Sequence, residues 1–256
     1  MDNPQSQIQS LDRAFTLIEI IANANEPMSL KTITGLADLP KPTVYRLLSS
    51  LEAWGYVDHD DHKGYKLGTK FLFLGIKVQE SQEIKKIARP FLKELNAITN
   101  ETVFLGVLDK GRSLYVDKLD SNHSVRLVSR IGSRNYLHST GLGKCLLSGL
   151  DEKEVINLLD KQGMPAMTEN TIIEKDILLQ KLRIVREKGF VTDNIENEEG
   201  VRCIAAPVKD HKGKVVSAVS ISGPMQRITD EAIETKLKPA LLNTVAKISQ
   251  ALGYKE

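Results

Sequence analysis

Apolar residues return every three or four positions in three successive stretches near the start of the chain, and polar residues fill the gaps. In "SLDRAFTLIEIIA" the residues Leu11, Ala14, Phe15, Ile18 and Ile21 share one face, which predicts an amphipathic helix with Ser10 as its N-cap. Asn25, Glu26 and Pro27 break the pattern, and Ser29 then caps a second, shorter helix with Leu30, Ile33 and Leu36 facing inward. "DLPKP" forces a turn, because each proline holds the residue before it out of the α region, and Pro42 suits the first position of a third helix. That helix carries Val44, Leu47, Leu48, Leu51 and Trp54 as its stripe, with Gly55 where a left-handed cap belongs. "GYVDHDDHKGYKLG" follows as two short alternating runs around a polar turn at Gly64, a β-hairpin wing. Three helices and a wing predict a winged helix-turn-helix over residues 1–68.

The next segment, residues 69–82, is a linker helix studded with Phe71, Leu72, Leu74 and Val78, apolar enough on one side to need a partner. A second protomer is one candidate and the chain's own domains are the other. Pro90 should kink or restart the helix, which sets the boundary near residue 82. From residue 101 the period changes. "ETVFLGVLDKGRSLYVDKLDS" reads as a hairpin turning at Lys110 and Gly111, "SVRLVSRIGS" as another strand, and "GVRCIAAPVKDHKGKVVSAVSISG" as two strands around Lys212 and Gly213. "STGLGKCLLSGL", "IIEKDILLQKLRIVREKG" and "ITDEAIETKLKPALLNTVAKISQAL" are helical. Short hairpins joining neighbouring strands predict an α+β fold with an antiparallel sheet over residues 83–256.

Composition narrows the classes. The chain has 256 residues with 41% hydrophobic and 27% charged, enough for two modest domains, and its formal net charge of +2 gives the whole molecule no electrostatic address. Two cysteines, Cys145 and Cys203, form neither a disulfide framework nor a close ligand pair, which suits a reducing cytoplasm. The opening "MDNPQSQIQSLDRAF" lacks the regions of a signal peptide, and no later run approaches a membrane span, so the expectation is a cytoplasmic protein with no membrane partner.

The free face of the third helix carries Thr43, Tyr45, Arg46, Ser49 and Ser50. A helix whose outer tip presents small and hydrogen-bonding side chains fits the DNA major groove, where bulk would block approach. Arg46 can reach a guanine edge or a phosphate; Lys41 at the tip, with Lys63 and Lys66 in the wing, lies where phosphates would be met. Against this, acidic residues outnumber basic ones over residues 1–68, as on an ordinary solvated face, so a helical module that docks a protein partner stays open.

The second domain offers little catalytic chemistry. "TGLGK" resembles a phosphate loop, but that motif needs a glycine where His138 stands and a Ser or Thr where Cys145 stands. Neither cysteine has a cue for an activating histidine, and His123, His138 and His211 lack metal-ligand spacing. Asp193, Glu196, Glu198 and Glu199 in "DNIENEEG" lack a calcium-loop pattern and read as a solvated loop. No catalytic residue, metal or cofactor is expected, although a small-acid enzyme with a vestigial helix-turn-helix is a further alternative. A binding pocket is better supported: Gly141 and Leu142 lie where a helix begins, so their N–H groups can face an anion with the helix dipole behind them. Ser220 and Ser222 alternate along one strand and share a side, which is either a pocket wall or a solvent face.

"SLDRAFTLIEIIA", "KPTVYRLLSSLEAWGYV", "YKLGTKFLFLG", "HSTGLGKCLL" and "EEGVRCIAAPVKDHKGKVVSAVSISGP" together resemble the IclR family of bacterial transcription regulators along nearly the whole chain. The resemblance implies an N-terminal winged helix-turn-helix on double-stranded operator DNA, a linker helix that takes part in dimer contact, and a GAF-like C-terminal domain that binds a small carboxylate effector. On that reading Lys41, Thr43, Tyr45, Arg46, Ser49 and Lys63, placed by helix face and wing above, are the DNA-side residues, and the family's motifs carry the effector side. Gly141 and Leu142 fall on the amides that hold the effector carboxylate, and Asp193, Cys203, Ser220 and Ser222 on the polar wall. A homodimer or dimer of dimers is implied. "KLDSNHSVRLVSRIGSRNYLHST" looks most like the subgroup that includes the 2-keto-3-deoxygluconate repressor, which suggests a sugar-derived 2-oxo acid. Arg126, Arg130 and Arg134 either supply cations near the pocket mouth or, as strand and loop arginines, stand at the surface or an interface, and Asp117 departs from the pattern, with a consequence for pocket charge or partner contact.

Overall fold

The computed structural model describes residues 8–81, 83–125 and 127–255, with the backbone alone described at 76–81 and 83. The chain divides into two compact units, residues 1–81 and 82–256.

The first unit contains α1 (Gln9–Ala22), α2 (Leu30–Ala37), α3 (Lys41–Ala53), the hairpin β1 (Val57–Asp60) and β2 (Gly64–Leu67), and α4 (Lys70–Ser81). Its core is Leu17, Ile21, Ile33, Val44, Leu48, Val57 and Tyr65. The stripe of α1 is therefore Leu17 and Ile21, one turn apart, whereas Leu11 and Phe15, expected to face inward, are exposed. The helix begins at Gln9, so Ser10 lies inside its first turn and Ile8 takes the N-cap position. Ser29 does cap α2, accepting from the Thr32 N–H at 3.1 Å. Leu36 is exposed, because α2 ends one residue later and Asp38 turns the chain in a left-handed conformation. Pro42 is the second rather than the first residue of α3, still within the turn whose N–H groups have no helical acceptor. The stripe of α3 stops at Leu51: Trp54, expected to close it, is the C-cap and is 73% exposed. Gly55 follows with φ +75°.

The wing pairs Val57 with Leu67 through Asp60 with Gly64. Gly64 is required twice over, since φ is +99° and a Cβ there would lie 2.4 Å from the Met28 carbonyl oxygen. Met28 and Tyr65 exchange backbone hydrogen bonds at 2.8 Å, which pins the wing to the turn before α2. In α4, Leu72, Phe73 and Leu74 are exposed, while Phe71 meets the Tyr56 ring edge-on at 5.2 Å. Val78 lies outside the described side chains.

The second unit is built on a six-stranded antiparallel sheet in the order β5-β4-β3-β8-β7-β6. The strands are β3 (Thr102–Asp109), β4 (Arg112–Leu119), β5 (Arg134–Asn135), β6 (Val191–Asn194), β7 (Val201–Lys209) and β8 (Val215–Pro224). Helices α5 (Glu83–Thr99) and α10 (Lys238–Ala251) bury one sheet face through Leu92, Leu95, Leu241 and Ile248 against Val103, Ile204 and Ile221. Helices α6 (Gly141–Ser148), α7 (Glu152–Gln162) and α8 (Lys175–Lys188) cover the other through Leu142, Leu147, Leu159, Leu178 and Leu182 against Phe104, Ala205 and Ala218. Side chains alternate across each strand, so one sheet serves two cores. The fold is α+β with an antiparallel sheet, as the patterns predict.

Four details differ from expectation. Among the described residues, the run at 124–133 forms no strand: Arg134 and Asn135 pair with β4, and Val125 and Val128 are exposed. Backbone bonds from Tyr115 to Ser133 and from Gly132 to Tyr115 occupy the β4 edge with a turn instead. Pro90 neither starts nor ends a helix, for α5 runs through it, at the cost of one helical hydrogen bond. The helix α7 carries no cue that pattern reading used, yet Asp151 and Glu154 form a full capping box at its start. The final helical stretch is interrupted, with a short α9 (Asp230–Ala232) and a π-helical turn at Ile233–Leu237 before α10.

Candidate DNA-contacting face and candidate effector cavity

Because Val44 and Leu48 point α3 into the core, the opposite side of its first turns must face outward. Lys41, Tyr45 and Arg46 are exposed there, Thr43 and Ser49 half-buried beside them, and Tyr45 has 55% of its surface open. Lys63 is exposed at the tip of the wing, where the Asp60 carboxylate accepts from the N–H groups of His62 at 2.9 Å and Lys63 at 3.0 Å. The turn is thus held by its own side chain and presents the lysine outward.

The cavity arises from strand register. Asp193 on β6, Cys203 on β7, Ser222 on β8 and Thr102 on β3 are successive Cα partners and form one row across the sheet. The next row is Val191, Ala205, Ser220, Phe104 and Lys118. The N-terminus of α6 lies on these rows. Gly141 is there for space: a Cβ would sit 2.8 Å from Cys203 Sγ and 3.1 Å from Ala205 Cβ, so only glycine lets the helix start touch the strand. Thr140 caps the helix, accepting from the Gly143 N–H at 3.0 Å. The result is a small cavity, partly open to solvent, lined by Gly141, Leu142, Asp193, Cys203, Ser220 and Ser222. All six side chains or amides singled out from sequence come together in this one place, though they span 82 positions of the chain.

The cavity also contains residues that sequence reading missed: Phe104 and Tyr115, whose rings stack at 4.5 Å, with Leu127, Ser129, Asn197 and Glu198. Phe104 and Tyr115 were legible as one face of alternating strands, but nothing local marks that face as a wall. Asn197 accepts from the Ser139 hydroxyl at 2.9 Å and ties the 195–200 loop to the segment before α6.

A buried ion pair supports this corner from behind. Lys144 is fully buried and its Nζ meets Glu196 Oε1 at 2.6 Å. The "DNIENEEG" run is consequently no solvated loop throughout, since both Asp193 and Glu196 are buried. The Glu196 N–H donates to Asp193 Oδ1 at 2.8 Å. Burial pushes the Asp193 carboxyl up to about 6 despite the nearby Lys144 cation. Burial likewise raises the Cys203 thiol, helped by Asp193, and the Cys145 thiol, so neither is a ready nucleophile. Among the described residues no group of His, Cys, Asp and Glu could hold a metal ion.

Other expectations resolve differently. Arg134 pairs with Asp109 at 2.6 Å, Arg130 is exposed, and Arg126 lies outside the described residues. Asp117 is buried on the sheet face opposite the cavity, sharing its side with its partner Leu105 and pairing with Arg89 and Lys85 of α5. It leaves the pocket charge untouched. Among the described residues no helix is long and apolar enough to cross a membrane.

Comparison with known proteins fits both halves. The chain matches the IclR helix-turn-helix domain over residues 10–61 and the bacterial transcriptional regulator IclR C-terminal domain over residues 76–250. It is 36% identical to the HTH-type transcriptional regulator KdgR of Escherichia coli over 256 residues, covering 99% of this chain and 96% of that protein. It is 34% identical to the HTH-type transcriptional regulator XynR of the same organism, covering 96% and 98%. The crystal structure of the Thermotoga maritima IclR superposes with a TM-score of 0.83 at 33% identity, covering 96% and 99%.

Proposed function

Because this chain belongs to the IclR family of bacterial transcription regulators, we propose that it binds operator DNA through α3 and the wing and that a small carboxylate in the cavity changes its operator affinity. The observation that carries the effector half is the convergence of the α6 amides with Asp193, Cys203, Ser220 and Ser222 on one cavity. Helix-start amides favour an anion, and the hydroxyls, thiol and carboxylate opposite them suit an oxygen-rich body. A sugar-derived 2-oxo acid has this make-up, and the likeness to the 2-keto-3-deoxygluconate repressor subgroup supports that class.

In the DNA half, Thr43, Tyr45, Arg46 and Ser49 meet bases or phosphates, while Lys41 and Lys63 meet the backbone. One short helix reads too few base pairs for specificity, so two protomers on a two-fold site, or a pair of such dimers, complete the reader. Coupling of the two sites amounts to about 1–3 kcal/mol and is reciprocal: the acid and the operator alter each other's binding by the same factor. Footprinting on the DNA upstream of the protein's own gene tests this. The expected result is a symmetric protected site that Arg46→Ala loses; absence of protection at moderate salt, with a protein captured by the helical unit, would favour a protein-docking module instead.

A further inference from the structure

The cavity presents a problem of charge. It offers helix-start amides to an anion, yet it already contains a carboxylate: Asp193 lines it and is only 5% exposed. Among the described residues, the buried and half-buried cations at its walls are engaged elsewhere, and Arg130, next to the lining residue Ser129, is exposed to solvent. Lys144 on α6 is held by Glu196, and Lys118 on β4 by Asp120 at 2.7 Å and the Leu127 carbonyl at 2.9 Å. His138, in the segment before α6, is held below its usual range by burial and meets the Pro165 carbonyl at 3.0 Å, so it adds no charge near neutrality. Tyr115 on β4 and Cys203 on β7 are kept protonated by burial, Ser220 and Ser222 on β8 are neutral, and Glu198 on the 195–200 loop adds a second negative group at the rim. An entering acid therefore meets an ionised Asp193 with no spare counter-ion among the described buried residues, and two carboxylates in one dry site do not both stay ionised.

Resting on the effector reading above, we infer that the cavity takes its acid together with one proton, held on Asp193 while the acid is bound. The proton comes from solvent, no covalent bond to carbon changes, and on release of the acid it returns to solvent. The arrangement around Asp193 suits this role. Its Oδ1 is fixed by the Glu196 N–H at 2.8 Å, whereas among the described residues Oδ2 meets only the Cys203 thiol at a long 3.7 Å. Oδ2 is thus the atom free to carry the proton. Burial already raises this carboxyl to about 6 before any ligand arrives. Protonation turns Asp193 from an acceptor into a donor, and a donor beside an anion site selects for acids with an acceptor oxygen next to the carboxylate. A 2-oxo acid has that oxygen, and the corresponding simple fatty acid does not. Asp193 becomes a specificity-determining group by its protonation state as well as its position.

Calorimetric titration of the full-length protein with pyruvate, glyoxylate and 2-keto-3-deoxygluconate, in phosphate and in Tris at pH 7, tests the inference. The dependence of the heat on buffer ionisation enthalpy gives the protons taken up. The expected uptake is close to one per acid bound, with Kd weakening up to about tenfold per pH unit from 7 to 8, the limit for one linked proton. Propionate should bind at least tenfold more weakly than pyruvate. Asp193→Asn, which carries a permanent donor in the same shape, should bind with no uptake and no pH dependence. Uptake near zero with a pH-independent Kd in the unaltered protein would overturn the inference while leaving the effector reading intact, and so would full uptake retained by the Asn variant. Failure of all three acids to bind would overturn the effector reading and this inference with it. If the variant does not fold, the proton count of the unaltered protein still decides.

Discussion

The two units place their candidate contacts in opposite ways. In the helical unit the buried residues are scaffold alone, and the proposed DNA contacts stand outside it: Lys41, Tyr45, Arg46 and Lys63 are all exposed. In the sheet unit the proposed effector contacts are themselves part of the interior, with Ser220, Leu142 and Asp193 among the buried residues. A side chain that does not support the fold can be changed at the expense of function only, whereas one built into a core carries both burdens. Reading DNA needs protrusion into a groove; retaining a small acid needs removal from water, which strengthens every hydrogen bond made to it.

The sharpest way to break this contrast is Lys144→Ala. It would strand the Glu196 carboxylate in the interior, where loss of one partner of a buried pair costs about 3–5 kcal/mol. Urea unfolding followed by circular dichroism should show the loss, while fluorescence of Trp54, the chain's single tryptophan and a residue of the helical unit, should report an unchanged transition. A cost below about 1 kcal/mol would mean that the pair is not the support described.

Gly141→Ala comes next. Its new Cβ would press on Cys203 Sγ and Ala205 Cβ, overpacking that typically costs about 1–3 kcal/mol. Acid binding measured by calorimetry should fall at least tenfold, with acid-free operator binding retained. Arg46→Ala should do the reverse, removing about 1–3 kcal/mol of operator affinity in an anisotropy titration while calorimetric acid binding and the melting temperature stay put. Lys63→Ala should have the smallest effect: weaker operator binding that does not depend on sequence, and a slope of log affinity against log salt shallower by about one.

The same contrast explains what could be read from the chain. Ser29, Gly55 and Gly64 act on neighbours a few residues away, and their roles as cap, left-handed turn and wing turn were legible directly. Phe15 is exposed because an amphipathic stripe on α1 leaves periodicity unable to say which edge the core takes, and the core takes Leu17 and Ile21; Trp54 is exposed because α3 ends at Ala53 and leaves it as the C-cap. The strand expected at 124–133 failed for a related reason, since alternation describes a face and not a partner, and the β4 edge was occupied by a turn. The cavity's membership depended on register between strands far apart in sequence. Asp193, Cys203 and Ser222 fall in one row only once β6, β7 and β8 pair, and no local pattern carries that alignment, so resemblance to known motifs supplied what periodicity did not. Lys144 and Glu196, 52 positions apart, escaped entirely, because a buried ion pair looks in sequence like two surface charges.

The central claim is that a small acid in the sheet unit alters DNA binding by the helical unit. It is tested most directly by fluorescence anisotropy of the protein on DNA from upstream of its own gene, with and without 2-keto-3-deoxygluconate, pyruvate and glyoxylate. The account predicts tight binding that survives competitor DNA and a shift of about five- to hundred-fold in operator affinity with at least one acid. Specific binding that no acid moves, while calorimetry shows the same acid occupying the cavity, would contradict it.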